Sequence, residues 1–176
     1  MTLIAMAGLP GSGKSTVANG LALALNGLVV SVDPIESAMW IAGIDRDQPT
    51  GLAAYVIADV LARTNLALGR TVIVDAVNAV QPARDQWRSV AGDLDVPVFF
   101  IEVTCSDERV HRDRLAARRR DLAGHEQTPW TVVENARHEW APWTDPHLRI
   151  DSIDNDVRNL RRAMDYVSST ASSSGA

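Results

Sequence analysis

The sequence predicts a three-layer α/β fold in which a parallel sheet of about five strands carries helices on both faces. Short apolar runs of strand length alternate with segments of helical period along most of the 176-residue chain, the pattern of a parallel sheet whose strands are joined by helices. A glycine-rich loop, Gly8-Leu9-Pro10-Gly11-Ser12-Gly13-Lys14-Ser15-Thr16, fits the phosphate-binding pattern G-x-x-x-x-G-K-[ST] at every fixed position. Two further apolar runs lead into aspartates, Asp33 and Asp75, and right-handed crossovers bring the carboxyl ends of all the strands to one edge, where ligands bind.

The first run, Leu3 to Ala7, has the length of a buried strand, and after the glycine loop Val17, Leu21 and Leu25 recur at helical spacing among alanines. The loop therefore joins a strand to a helix N-terminus, the context this motif requires. Gly8, Gly11 and Gly13 allow backbone N–H groups to turn inward and meet phosphate oxygens. A helix beginning near Lys14 adds unpaired donors and the positive end of its dipole. Lys14 is expected to reach the β- and γ-phosphates and the Ser15 hydroxyl to ligate Mg²⁺, so the loop, with Ser12 and Thr16, reads as an ATP-binding site. Lys14 is the single lysine beside sixteen arginines, a compact ammonium kept where one is wanted.

Leu28 to Val32 is a β-branched run ending in Asp33-Pro34; Pro34 closes the strand and opens a helix that continues through Met39, Trp40 and Ile41. Residues 43–51 read as a loop and Leu52 to Leu68 as a long helix. Thr71 to Val74 is a buried strand delivering Asp75, the shape of a second metal-site motif beside a phosphate loop. A helix over Pro82 to Ala91 precedes a strand over Val96 to Val103, where Pro97 suits the first residues. Ser106 or Asp107 caps the next helix, which runs to about Arg120. That segment holds Arg109, Arg112, Arg114, Arg118, Arg119 and Arg120 against Asp107, Glu108, Asp113 and Asp121, a local reversal of sign in an acidic chain. A helix of about a dozen residues follows among Trp130, Trp140 and Trp143, then a strand over His147 to Ile150 and a helix over Val157 to Val167. His125 and His138 are too isolated to form a metal site.

The composition sets bounds. The length predicts one domain over residues 1–167, followed by a disordered Ser/Ala/Gly-rich tail over 168–176. No signal peptide precedes the first strand, and the longest apolar stretch, Leu21 to Val30, is interrupted by Asn26 and Gly27, so a cytoplasmic location is expected. The lone Cys105 excludes an intramolecular disulfide and a cysteine-based zinc site. A formal net charge of −5 gives no general attraction for nucleic acid or an anionic membrane.

The glycine loop, Val32-Asp33, the run Val72-Ile73-Val74-Asp75-Ala76-Val77-Asn78 and the arginine-rich segment from Asp107 to Arg120 together resemble the small P-loop kinases, the group of gluconate and shikimate kinases, chloramphenicol phosphotransferase and polynucleotide 5′-hydroxyl kinase. The resemblance covers Met1 to about Val167 and implies a P-loop NTPase fold with an arginine-rich lid. It implies ATP and Mg²⁺ as cofactors and transfer of the γ-phosphoryl group to a hydroxyl, with Asp33 as general base or orienting group. The lid arginines neutralise charge on the transferring group, Arg112 and Arg118 being favoured with Arg114 and Arg119 close behind, and Asp75 holds Mg²⁺ through water. The loop from Asp151 to Asn155 lies where such kinases contact adenine. One departure concerns the acceptor: polynucleotide kinases place a basic residue shortly after the acceptor aspartate, whereas this chain has Glu36 and no positive charge before Arg46.

The leading expectation is an ATP-dependent phosphotransferase acting on the alcohol group of a small molecule, as a monomer or homodimer. The alternatives are a polynucleotide 5′-hydroxyl or nucleoside kinase, and a nucleotide-dependent switch that has no need of a carboxylate at Asp33. Between Leu28 and Ala62 a single positive residue, Arg46, faces Asp33, Glu36, Asp45, Asp47 and Asp59, which predicts a neutral or cationic acceptor and disfavours oligonucleotides. Met39, Trp40 and Ile41 either line the acceptor pocket or pack into the core.

Overall fold

A computed structural model describes residues 1–117 and 129–169. The predicted Arg118, Arg119, Arg120 and Asp121 of the lid, His125, and the tail from residue 170 onward lie outside the described residues. Five strands, β1 (Leu3–Ala7), β2 (Leu28–Ser31), β3 (Val72–Asp75), β4 (Val98–Thr104) and β5 (His147–Asp151), form one sheet in the order β2-β3-β1-β4-β5. Every pairing is parallel. The helices among the described residues are α1 (Lys14–Leu25), α2 (Val32–Ile41), α3 (Thr50–Ala67), α4 (Gln81–Asp93), α5 (Glu108–Ala117), α6 (Trp130–His138) and α7 (Asp156–Ser168).

Strand alternation sorts the core into two halves. Leu3, Ala5, Val72, Val74 and Phe100 point to one face, where Ala54, Ala58, Ala62 and Leu66 of α3 and Trp87 and Val90 of α4 cover them. The alanines recur every fourth residue, so α3 presents a ridge without bulk and lies close to the sheet. Ile4, Met6, Ile73, Ile101, Val103 and Ile150 point to the other face, beneath Val17 and Leu21 of α1 and Ala163 of α7. With helices on both faces this is the three-layer α/β fold that the sequence predicts. No helix among the described residues is long and apolar enough to cross a membrane.

One expectation is corrected and one open alternative is decided. Asp33 does not stand at the end of a strand: β2 stops at Ser31 and α2 begins at Val32, so Asp33 occupies the first helical turn. Pro34 explains the early start, because a first-turn residue has no intrahelical use for an N–H and the ring presets a helical φ. Of the two alternatives for Met39 the core one holds: it is 8% exposed and shares a cluster with Val30 and Val32. Trp40 donates from Nε1 to Thr50 Oγ1 at 3.1 Å, and the Arg46 guanidinium lies 4.4 Å above its ring.

The segment after β3 is pinned by Arg84, which is fully buried. Its Nε donates to the Asn78 carbonyl at 2.9 Å, its Nη2 to Ala79 at 3.0 Å and Ala141 at 3.1 Å, and its Nη1 to Pro142 at 3.1 Å. Trp143 stacks 3.8 Å from the guanidinium carbon. Burial pulls the Arg84 pKa below its ordinary value, while the charges of Glu102 and Asp145 act to raise it. Removing the side chain would take these donors from four carbonyls, of which Ala79 keeps the Ala141 N–H at 2.8 Å. Arg84→Ala is therefore expected to cost about 3 kcal/mol or more in denaturant unfolding; a loss below about 1 kcal/mol would show that these contacts carry little weight.

Candidate nucleotide and phosphoryl-transfer site

The phosphate loop begins where β1 ends. Gly8 donates its N–H to the Val77 carbonyl at 3.1 Å, and a Cβ built on it would lie 2.4 Å from the Val103 carbonyl oxygen. No other residue fits between β4 and the segment after β3. Gly13, at φ 94°, is the N-cap of α1, and no side chain caps that helix. The first-turn N–H groups of Lys14 and Ser15 thus have no intrahelical acceptor and remain available to an anion. Lys14 is 3% exposed.

Ser15 and Asp75 come together across the sheet edge: Ser15 Oγ donates to Asp75 Oδ2 at 2.6 Å. Ser31 Oγ donates to the same oxygen at 3.4 Å, because Ser31 and Asp75 are register partners in β2 and β3. Asp75 is 7% exposed, and its Oδ1 is buried with no hydrogen-bond partner among the described residues. A buried carboxylate oxygen without a donor, beside a hydroxyl, suits a hard cation that keeps several waters. Ser15 and Asp75 therefore fit Mg²⁺. No group of three or more His, Cys, Asp or Glu with the makings of an all-protein metal site occurs among the described residues.

Asp33 lies two residues beyond Ser31 on the same edge, and its carbonyl accepts from Ser37 Oγ at 2.6 Å. Tyr55 of α3 joins this corner, its hydroxyl accepting the Asn78 N–H at 3.1 Å. Burial pushes the Tyr55 phenol up to about 12, the Asn78 hydrogen bond opposes this, and the nearby charges of Asp33 and Asp75 add to the rise. The phenol stays protonated and keeps a proton to donate beside the two carboxylates. Asn78 holds the left-handed conformation at φ 47°. It donates from Nδ2 to the Met6 carbonyl at 2.7 Å and accepts from Trp87 Nε1 at 3.0 Å.

On the other side of Lys14, a cavity of about 400 Å³ runs along Gly13, Lys14 and Thr16 to Ser152, Asp156 and Asn159. This volume at the start of α1 can take the rest of a nucleotide, and it touches the loop after β5 at Ser152. Asn159 donates from Nδ2 to the Asp151 carbonyl at 2.8 Å, while its Oδ1 is buried without a partner. Arg114 closes the cavity, donating from Nη1 to Ser152 Oγ at 2.7 Å and from Nη2 to the Ser152 carbonyl at 3.2 Å.

Helical phase separates the arginines of α5. Asp107 caps the helix, accepting the Val110 N–H at 3.0 Å. His111, Arg114 and Leu115 share the face that lies on the phosphate loop: His111 Nε2 donates to the Pro10 carbonyl at 2.8 Å, and Leu115 Cβ lies 3.3 Å from where a Cβ on Gly11 would sit. Burial depresses the His111 pKa against the Pro10 hydrogen bond, with the Arg137 and Arg114 charges lowering it further, so the ring is held neutral. Arg112 is on the other side, bonded to Glu108 Oε1 through Nε at 3.0 Å and Nη2 at 2.8 Å and stacked 4.1 Å from the Trp130 ring centre. The structure thus brings Lys14, Ser15, Asp75 and Asp33 to one edge with Arg114, and leaves Arg112 engaged elsewhere.

Comparison with known proteins gives the family. A family described as an AAA domain matches residues 3–142 of this chain. The chain belongs to this P-loop kinase family. Its fold is shared by an unliganded sugar kinase from Janibacter sp., with 16% identity, a TM-score of 0.70, and 95% of this chain and 94% of that one covered. A gluconokinase from Sinorhizobium meliloti has 19% identity and a TM-score of 0.68 over 97% of this chain and 93% of its own. Kti12 from Chaetomium thermophilum, in complex with ADP-AlF3, has 20% identity and a TM-score of 0.69 over 93% of this chain and 97% of its own. No curated protein matches the chain.

Asp75→Asn keeps the shape of the side chain and its acceptor oxygen for Ser15 while removing the charge that would attract a divalent cation. In calorimetric titrations the Mg²⁺ concentration needed for half-maximal enhancement of ADP binding is expected to rise about tenfold or more, with metal-free ADP binding unchanged. An unchanged Mg²⁺ dependence would remove Asp75 from the metal site.

Proposed function

We propose that residues 1–167 form an ATP-dependent phosphotransferase domain that transfers the γ-phosphoryl group to the hydroxyl of a small, neutral or cationic molecule in the cytoplasm. The observation that supports this reading most is the convergence at one sheet edge of a phosphate loop, the Ser15–Asp75 contact and the carboxylate of Asp33. A carboxylate at the last position suits an acceptor hydroxyl, which a site that only binds nucleotide does not have.

In the proposed reaction Lys14 and the N–H groups at the start of α1 hold the phosphates, and Asp33 orients the acceptor hydroxyl and takes its proton. The acceptor oxygen bonds to the γ-phosphorus as the bond from that phosphorus to the β,γ-bridging oxygen breaks, and ADP leaves. Ser15 and Asp75 would hold Mg²⁺, which when bound would supply charge neutralisation at the phosphates. Positioning and electrostatics are most of what this chemistry requires. Arg114 replaces Arg112 as the first choice for a guanidinium acting on the phosphates, because it lies on the loop side of α5 and lines the nucleotide cavity; Arg118 lies outside the described residues. The acceptor side carries Asp33 and Asp75, whereas Glu36 accepts from Thr50 Oγ1 at 2.9 Å and Asp59 from Arg63 at 2.6 Å. An anionic acceptor would meet two carboxylates in a poorly screened corner.

Asp33→Asn is expected to keep ATP affinity within about threefold and to lose about 10²-fold or more in turnover, as for a general base. Measured across matched neutral, cationic and anionic alcohols at fixed salt, transfer by the wild-type protein is expected to favour the first two. Preferential phosphorylation of the anionic partners would overturn the acceptor assignment, unchanged turnover in Asp33→Asn would remove Asp33 as the general base, and nucleotide binding by the wild-type protein with no transfer to any of the alcohols would favour a nucleotide-dependent switch.

A further inference from the structure

A larger cavity, of about 640 Å³, lies on the opposite side of the phosphate loop, against the ends of β4 and β5. Among the described residues it shares no lining residue with the nucleotide cavity: Gly8, Leu9 and Ser12 wall it, whereas Gly11 and residues 13–17 wall the other. The loop is the partition between them. Asp33 and Asp75 are not on the wall of this cavity, so it is distinct from the acceptor corner as well.

Its chemistry is set by guanidinium groups with few protein acceptors. Arg137, Arg149 and Arg162 line it, and each brings five N–H donors in a fork that matches a carboxylate or phosphate. Among the described residues these donors meet few acceptors. Arg162 Nη2 donates to the Arg149 carbonyl at 3.0 Å. Arg149 Nε lies 3.6 Å from Glu102 Oε2, and Arg137 Nη1 lies 3.8 Å from Glu108 Oε2. The carboxylates of the wall are better served. Asp151 accepts the N–H groups of Ser106 at 3.2 Å and Ile153 at 3.1 Å. Glu102 has His147 Nε2 as well as Arg149 at 3.6 Å. Asp154, exposed, is the remaining acid. A second observation points to a ligand: Ser12 is 1% exposed, lines this cavity, and its Oγ has no hydrogen-bond partner among the described residues. The Trp140 indole supplies a flat apolar wall, and the volume falls in the range of small-molecule sites.

We propose that this cavity is a second ligand site, which takes a small compound bearing two or more oxyanion groups, carboxylate or phosphate, gripped by Arg137, Arg149 and Arg162. Its occupant touches the back of the phosphate loop at Gly8, Leu9 and Ser12 and the root of α5 at His111. It is therefore placed to be felt at the nucleotide site without entering it.

Two probes without a hydroxyl separate this site from an acceptor site, because neither can be phosphorylated on an alcohol: tricarballylate for carboxylates and phosphonoacetate for phosphates. Each is titrated calorimetrically into the full chain at fixed ionic strength with Mg²⁺-ADP saturating, so that the phosphate loop is already filled. Saturable binding of at least one probe is expected; binding of tricarballylate shows that carboxylates suffice, and binding of phosphonoacetate alone shows that a phosphonate is needed. The affinity is expected to fall about tenfold or more in the Arg149→Ala/Arg162→Ala double variant, with ADP affinity unchanged. Arg149→Ala alone, at a side chain 69% exposed, leaves the fold intact and is expected to weaken the probe about threefold or more. Absence of saturation by either probe below about 10 mM, or equal affinity in wild type and both arginine variants, would overturn the proposal. Loss of probe binding in Lys14→Ala with none in the arginine variants would place the probe in the phosphate loop and overturn it equally.

Discussion

At Gly8 the chain leaves β1 and passes so close to the Val103 carbonyl that a side chain would overlap it, with 2.4 Å between that oxygen and a Cβ. The rest of the site depends on this approach. It seats the phosphate loop on the sheet between β4 and the segment after β3, and the Gly8 N–H closes the seat on Val77. One residue further along that segment, Asn78 reaches back to the Met6 carbonyl. The same Asn78 receives the Arg84 and Trp87 side chains and places the Tyr55 hydroxyl. A single buried cluster thus ties α3 and α4 to the start of the loop. A shift there would move Lys14, Ser15 and Asp75 together, because α1 begins directly after the loop and β3 runs beside β1.

How far this was legible in the sequence follows from the range of the interactions. The glycine loop, the strand ending in Asp75 and the alternation of apolar runs are local patterns, and they give the parallel sheet and the phosphate site directly. Asp33 was found as a residue but misplaced by one element, since a β-branched run before proline reads as strand while the first-turn tolerance for proline carries the helix back to Val32. Met39 read equally as pocket wall or core, a question of burial that local pattern does not decide. Among the lid arginines the sequence holds a usable signal, the phase of His111, Arg114 and Leu115 at i, i+3 and i+4. It becomes decisive only when one face is known to lie on the loop. Tyr55 and the Ser152–Asn159 wall are joined to the site by contacts spanning tens of residues, as is Arg84 to Ala141 and Pro142, and no local pattern marks them.

The charge distribution gives the molecule its asymmetry. Around Asp33 the acids outnumber the bases, and those not facing the corner are taken up by Thr50 and Arg63. Across the phosphate loop the guanidinium groups of Arg137, Arg149 and Arg162 line a separate volume. Three carboxylates, Glu102, Asp151 and Asp154, share that wall, so its contrast with the corner of Asp33 lies in the guanidinium donors it offers, and two ligands can address one loop without competing for the same donors. His111 stands where these regions meet, donating to Pro10 on the loop while lining the arginine cavity. Its neutral state, held by burial, keeps a further positive charge away from Arg114 and Arg137.

The central claim is that the loop from Gly8 to Thr16 holds a Mg²⁺-nucleotide through Lys14. Equilibrium binding of Mg²⁺-ADP to the wild-type chain and to Lys14→Ala, with the unfolding midpoints of both compared, tests it most directly. The account predicts similar midpoints and an affinity lower by about 10²-fold or more in the variant, since a buried ammonium at the phosphates is lost. Equal affinity in a folded Lys14→Ala protein would contradict it.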